Sequence, residues 1–91
     1  MEMSPDHDFN LNSIDEQVGR NIRRRREALG LSRVSLSRMI GCSPAQFVAF
    51  EQGAQRVDAA TMAALSRALS CRVTLFFDDS IDRGDLDPVN E

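Results

Sequence analysis

The chain has 91 residues, enough for one small folded domain with a modest core. Hydrophobic residues make up 42% of it, which is ordinary for a globular protein and excludes a fully disordered chain. The net charge of −3 hides a basic centre between acidic ends, because residues 1–16 carry −5, residues 17–77 carry +7 and residues 78–91 carry −5.

The chain begins with residues 1–12, an acidic leader that we expect to be flexible. The next four residues, Ser-Ile-Asp-Glu from Ser13, have the S-x-x-E pattern of a capping box and predict the start of the first helix. Arg25 lies near the inner face of this helix, and Gly30 ends it. Apolar residues recur on that face near helical spacing: Val18, Ile22 and Leu29.

Ser32 is the predicted N-cap of a second helix, and Gly41 supplies the left-handed residue that ends it. Its apolar stripe consists of Leu36, Met39 and Ile40. A third helix begins at Ser43, with Pro44 at its first helical position, and closes at Gly53. Two phenylalanines are expected to face inward from it: Phe47 and Phe50.

Asp58 is predicted to cap a fourth helix, whose inner face carries Met62, Leu65 and Leu69. The apolar run from Val73 to Phe77 has the composition of a strand, but no partner strand is evident, so we expect a short closing helix. Five helices predict an all-α domain over residues 13–79, followed by a flexible acidic tail over residues 80–91. Phe76 and Phe77 either fill the core together, or one of them is exposed and forms a dimer patch.

The second and third helices, joined by a tight glycine-centred turn, are typical of a helix-turn-helix unit, although ordinary helical hairpins share this layout. Ordered motifs extend over the whole centre: V-G-R-N-I-R, R-E-A-L-G-L-S, L-S-R-M-I-G-C-S, F-V-A-F-E-Q-G and T-M-A-A-L-S-R-A-L-S. On these motifs the segment from Val18 to Asp79 resembles the Cro/C1-type (XRE family) helix-turn-helix domain. The resemblance implies a five-helix, lambda-repressor-like fold that binds double-stranded DNA as a dimer on a palindromic operator.

The resemblance also implies roles for individual residues. Arg26 and Glu51 match a structural ion pair between the first helix and the end of the third. Ser37 matches a small-residue position where the second and third helices cross. Arg33 stands where the family usually has a glutamine, and an arginine there is suited either to a phosphate or to bidentate contact with guanine.

On the third helix, the principal base-contact positions of the family correspond to Pro44, Ala45 and Ala49. Among the outward residues only Gln46 can hydrogen-bond to a base edge, and it is equally suited to capping its own helix, so both alternatives stay open. Phosphate contacts are expected from three arginines and from the backbone N–H groups at the start of the third helix: Arg33, Arg38, Arg56 and the residues from Ser43 onward.

The sequence therefore predicts a sequence-specific DNA-binding transcriptional regulator, a repressor acting as a homodimer. The alternative is a protein-interaction module or antitoxin, because Val48 and Ala49 make the outer face of the third helix apolar. No catalytic side-chain set, metal-ligand spacing or cofactor-binding loop is evident, so we expect neither an enzyme nor a bound metal or cofactor. Without an apolar span or a signal peptide, the expected location is the cytoplasm, away from the membrane.

Overall fold

Four α-helices and a short closing 3₁₀-helix make up the structure, a computed structural model that describes residues 6–78, with side chains from residue 13 onward. This range contains no strand, which confirms the all-α class predicted from the sequence. The α-helices are α1 (Asp6–Ala28), α2 (Arg33–Ile40), α3 (Pro44–Gln52) and α4 (Ala59–Ala68). The closing helix occupies Val73–Phe77, as predicted. None of the helices described is long and apolar enough to cross a membrane.

α1 begins at Asp6 and not at Ser13, so the predicted start of the first helix is wrong. The S-x-x-E segment lies inside the helix. Serine and glutamate are tolerated at interior helical positions, and the same four letters therefore fit a cap and a continuing helix. α1 takes in residues 6–12, which the sequence assigned to the leader. Residues 1–5 of that leader and the predicted tail, 80–91, lie outside the described part of the chain.

Local caps set the bounds of α2 and α3, as the sequence predicts. Ser32 Oγ accepts a hydrogen bond from the backbone N–H of Ser35 (3.0 Å) at the start of α2. Gly41 ends α2 with φ of 80°, a left-handed conformation that a residue with a Cβ adopts only at a cost. Ser43 then caps α3, and Pro44 lies in its first turn. The turn between the two helices is therefore very short, which holds them at a fixed angle.

Asp58 caps α4, again as predicted. Its Oδ1 accepts a hydrogen bond from the backbone N–H of Thr61 (2.8 Å), and this bond holds the pKa of the Asp58 carboxyl below its usual value. Val57, directly before the cap, is buried in the core. The loop between α3 and α4 is thus anchored at the point where α4 begins.

The core lies between the inner faces of the helices and receives at least one side chain from each. Its buried members are Val18, Ile22, Leu36, Phe47, Phe50, Val57, Met62, Leu65, Leu69 and Phe76. Leu29 and Met39, which the sequence placed on inner faces, are instead 43% and 56% exposed. Leu29 lies just after the end of α1, so the helical spacing that places Val18 and Ile22 on the inner face no longer applies to it. In α2 the buried face is centred between Leu36 and Ser37, and Met39 lies well round the helix from it.

Asn21 ties the closing helix to α1. Its side chain is fully buried, and Nδ2 donates to the backbone carbonyls of Leu75, Phe76 and Asp78 at 3.3, 2.9 and 3.1 Å. Phe76 is completely enclosed in the core, whereas its neighbour Phe77 remains 51% exposed. One phenylalanine therefore fills the core, and the other is available at the surface.

α1 and α3 approach each other very closely at Gly19. A Cβ placed on this glycine would lie 2.5 Å from the carbonyl oxygen of Phe50 and closer still to that of Glu51. Both oxygens belong to the main chain near the C-terminal end of α3. α1 therefore rests directly on the backbone of α3, and the absence of a side chain at position 19 is what permits this contact.

Candidate nucleic-acid interface

The N-cap and first turns of α3 carry the residues that are expected to contact DNA. All of them are exposed or half-buried: Ser43, Pro44, Ala45, Gln46 and Ala49. On the other face of the helix, Phe47 and Phe50 are buried and fix α3 to the core. The first turn of this outward surface is therefore made of small side chains and the amide of Gln46, and a second exposed amide, that of Gln52, lies at the end of the helix.

The cap of α3 bears on the two alternatives for Gln46. The backbone N–H of Gln46 donates to Ser43 Oγ at 3.0 Å. One of the donors left without an intrahelical partner at the helix start is thereby satisfied through the main chain of residue 46. This bond is also the first half of a capping box, whose second half would be the Gln46 side chain reaching back to the backbone N–H of Ser43. Base contact and capping therefore both stay open as roles of this side chain.

The ion pair of Arg26 and Glu51 is present at the centre of the domain. Arg26 Nε lies 2.6 Å from Glu51 Oε2, and Arg26 Nη2 lies 3.3 Å from Oε1. Both side chains are almost closed to solvent, at 8% and 2% exposure. Arg26 Nη1 also donates to the carbonyl of Leu31 at 2.9 Å. One guanidinium therefore joins α1, the turn that follows it and α3.

A second arginine shares the same carboxylate, which the sequence did not predict. Arg33 is the first residue of α2, and its Nε donates to Glu51 Oε1 at 2.8 Å. Its side chain is 42% exposed, against 2% for that of Glu51. The side chain is thus held by the protein at one edge of its guanidinium and reaches solvent elsewhere. If Arg33 contacts DNA, as predicted, it does so while its Nε is bonded to Glu51.

The two other arginines assigned to phosphate contact lie at the surface. Arg56 follows α3, and its Nε lies 3.2 Å from Oδ1 of Asp15 on α1, with 60% of the arginine side chain exposed. Exposed ion pairs contribute little, and a DNA phosphate is an effective competitor for such an arginine. Arg38 lies in the last turn of α2 and is exposed. Both side chains are accessible to a ligand.

The arginine run over residues 23–26 is divided between the interior and the surface. Arg25 donates from Nε and Nη2 to the carbonyls of Leu69 and Ser70 at 2.9 and 3.1 Å, which ties α1 to the end of α4. Arg23 pairs at the surface with Glu27 at 3.0 Å, and this bond holds the pKa of Glu27 below its usual value. Since Arg25 and Arg26 serve the fold, the charge count of the run overstates the cations available to DNA.

The sequence analysis did not predict the structural roles of two residues, Gly19 and Asn21. Both stand in the motif V-G-R-N-I-R on α1. A glycine inside a helical pattern indicates a close approach of another element, and asparagine is disfavoured in a helix interior unless its side chain has a partner. Both signals were visible in the sequence. The elements that the two residues contact were not, because these lie more than 25 positions away.

α2 and α3 are short helices joined by a glycine-centred turn. One face of α3 is buried in the core and the opposite face is exposed to solvent. This arrangement defines a helix-turn-helix domain. Residues 17–75 match the helix-turn-helix domain family. An uncharacterised transcriptional regulator in the ATPase CF(0) region of Rhodospirillum rubrum is 36% identical over 75 residues, covering 82% of this chain and 68% of that protein. The chain belongs to the helix-turn-helix family of transcriptional regulators, as its resemblance predicted.

Further relatives and solved structures agree with this assignment. An uncharacterised HTH-type transcriptional regulator of Sinorhizobium fredii is 35% identical over 72 residues, covering 79% of this chain and 50% of that protein, so the chain spans half of that relative. The restriction-modification controller protein C.AhdI of Aeromonas hydrophila matches at a TM-score of 0.65 and 26% identity, over 68% of this chain and 94% of that one. The clp gene regulator ClgR of C. glutamicum has the same fold, with a TM-score of 0.70 at 22% identity, over 81% of this chain and 96% of that one.

Proposed function

We propose that this protein is a sequence-specific regulator that binds double-stranded DNA as a homodimer on a palindromic operator and acts as a repressor. The observation that carries the proposal is the outer surface of α3, where a capped helix start and small side chains surround Gln46. Such a surface fits a major groove, and the first-turn N–H groups suit a phosphate. The regulators among the relatives support the same role.

Direct base contact from this surface is sparse. Ala45 and Ala49 offer only methyl groups, which suit the methyl of thymine, and Gln46 is suited to adenine. Part of the specificity would then come from DNA shape, because a duplex that deforms easily binds better even at positions that are never touched. Affinity would rest on arginine contacts with the phosphates, from Arg33, Arg38 and Arg56.

An apolar groove supports the homodimer. Ile14 on α1 and Phe77 in the closing helix are 48% and 51% exposed, and both line a groove whose wall includes Val18 and Met62. Two copies related by a two-fold axis bury the same patch on each side, which is the usual solution for such a surface. None of the α3 residues assigned to DNA lines this groove, so a dimer joined there would leave them uncovered. Arg56 does line the groove, so in such a dimer the phosphate contacts would rest on Arg33 and Arg38.

The proposal is tested by incubating the purified protein with a randomised duplex pool near physiological salt and sequencing what is retained. A palindromic consensus with half-sites about one helical turn apart is expected for a dimeric operator-binding protein. Retention without a consensus would contradict sequence-specific binding and leave a backbone-binding protein. No retention at any salt concentration would contradict DNA binding altogether.

Gln46→Ala should relax the base preference at one position in each half-site, by about 1–3 kcal/mol, because it removes the amide in the first turn of α3 that is suited to an adenine edge. The measurement is a comparison of binding constants for the parent consensus and its single-base variants. Gln52→Ala is the matched control, an exposed glutamine at the other end of α3. An unchanged preference profile in Gln46→Ala would remove this residue from base recognition.

A second function is favoured by the exposure of large apolar side chains on α2. Val34 and Met39 are 48% and 56% exposed. On α3, Val48 and Ala49 are half-buried and apolar, and either of these two sets is suited to packing on a partner protein, as an antitoxin would do. In that case a tight one-to-one complex should form with these residues covered. Solvent exposure of Met39 that is unchanged on adding the candidate partner would argue against it.

A further inference from the structure

Glu51 lies where three helices meet. It extends from the last turns of α3, and its nearly enclosed carboxylate accepts hydrogen bonds from Arg26 on α1 and Arg33 on α2. The two arginines are not equivalent. Arg26 is 8% exposed, and all three of its nitrogen atoms are engaged, two on Glu51 and one on the Leu31 carbonyl. Arg33 is 42% exposed and is bonded to Glu51 through Nε.

This arrangement divides the charges unequally. Arg26 and Glu51 neutralise one another inside the protein, because both are nearly closed to solvent. The charge of Arg33 is therefore left over at the surface, at the N-terminal end of α2. A cation is disfavoured by the dipole at that end of a helix, and the Glu51 carboxylate offsets this cost. Without Glu51, the Arg33 side chain would have little reason to stay near the helix start.

We infer that Glu51 positions Arg33 for contact with a DNA phosphate, an inference that rests on the proposed DNA-binding function. The Nε edge of the guanidinium is held by Glu51, and its terminal nitrogens are the part left for a ligand. A guanidinium held in this way loses less conformational entropy on binding an anion than a free arginine does. Its tether to a buried carboxylate also keeps it from extending to a base edge deep in the groove, so that guanine contact is not its role.

Replacing Arg33 tests the contact itself. Arg33→Gln should weaken binding to a fixed duplex about tenfold and reduce the slope of log K against log salt by about 0.9, the value for one phosphate. The base consensus should not change, because a phosphate contact carries no sequence information. Arg67→Gln is the matched control: it removes the same charge from an exposed position on α4, outside the interface. An unchanged salt slope in Arg33→Gln, or a changed consensus, would overturn the inference.

Replacing Glu51 tests the positioning, because positioning and simple electrostatics predict opposite signs. Removing a carboxylate near DNA should by charge alone strengthen binding. If Glu51 positions Arg33, Glu51→Gln should instead weaken binding several-fold, and should have no such effect when Arg33→Gln is already present. Binding that is as tight as in the parent, or an equal loss in both backgrounds, would overturn the inference.

Lysine at position 33 provides the test if Glu51→Gln fails to fold by circular dichroism. Arg33→Lys keeps the charge, but one ammonium group cannot hold Glu51 at one edge and a phosphate at the other as a guanidinium does. Its affinity should fall several-fold while its salt slope stays close to that of the parent. Parent-like affinity in this variant would overturn the inference. A parent protein that binds no duplex would overturn the proposed function itself.

Discussion

Replacing Gly19 by alanine should destabilise the protein by roughly 1–3 kcal/mol, or more if α1 and α3 cannot separate. In an ordinary helix interior the same change stabilises by about 0.5–1 kcal/mol, so the expected sign is reversed. The new methyl group would meet the carbonyl oxygens of Phe50 and Glu51, which are main-chain atoms and cannot rotate away. Urea denaturation followed by circular dichroism measures the difference in the free energy of unfolding.

Ser13 supplies the control for this prediction, since it is exposed and lies on the same helix. At this position the variant Ser13→Ala should be more stable than the variant Ser13→Gly, in line with ordinary helix propensity. If alanine also stabilises at position 19, the two helices are not in backbone contact there. A loss of stability at position 19 alone would establish that the contact, and not the flexibility of glycine, accounts for the residue.

The bounds of α2 and α3 and the start of α4 were predictable because local signals set them. Ser32, Ser43 and Asp58 each cap a helix through a hydrogen bond from a backbone N–H only three residues further along. Gly41 and Gly53 end helices through their own left-handed conformation. Information of this range is fully contained in a short window of sequence. The start of α1 was not predictable in this way, because the S-x-x-E pattern has two local interpretations.

The contacts around the candidate site depend on residues far apart in the chain, and this limited what the sequence could indicate. Arg33 and Glu51 are 18 positions apart, and Asn21 bonds to carbonyls more than 50 positions away. The Arg26–Glu51 pair was predicted only through the family resemblance. Arg33 departs from the family pattern, so no resemblance could indicate its partner. Arg33 can bond to Glu51 because the fold places the start of α2 beside this carboxylate, whose oxygens can accept a further hydrogen bond besides those from Arg26.

Glu51→Ala should destabilise the protein by about 3–5 kcal/mol, the largest effect we expect from any single change, because it leaves the buried guanidinium of Arg26 with only the exposed carboxylate of Glu27, 3.9 Å away, as a counter-charge. Arg26 is 8% exposed, and its remaining protein bond is to the Leu31 carbonyl. A domain of this size is stable by only about 5–9 kcal/mol, so the loss should be at least about a third of its total stability. Urea denaturation at neutral pH measures the loss.

Removing Arg26 should destabilise the protein less than removing Glu51, because Glu51 has a second cationic partner inside the protein. Arg26→Met removes the guanidinium but leaves Glu51 bonded to Arg33 at 2.8 Å, so the buried carboxylate keeps one cation. Combining Arg26→Met with Glu51→Leu should recover part of the loss, since apolar side chains of similar volume often replace a buried ion pair without penalty. If Arg26→Met is as costly as Glu51→Ala, Arg33 does not compensate the carboxylate. A double variant less stable than either single one would show that the residues hold the helices together by hydrogen bonds that apolar packing cannot replace.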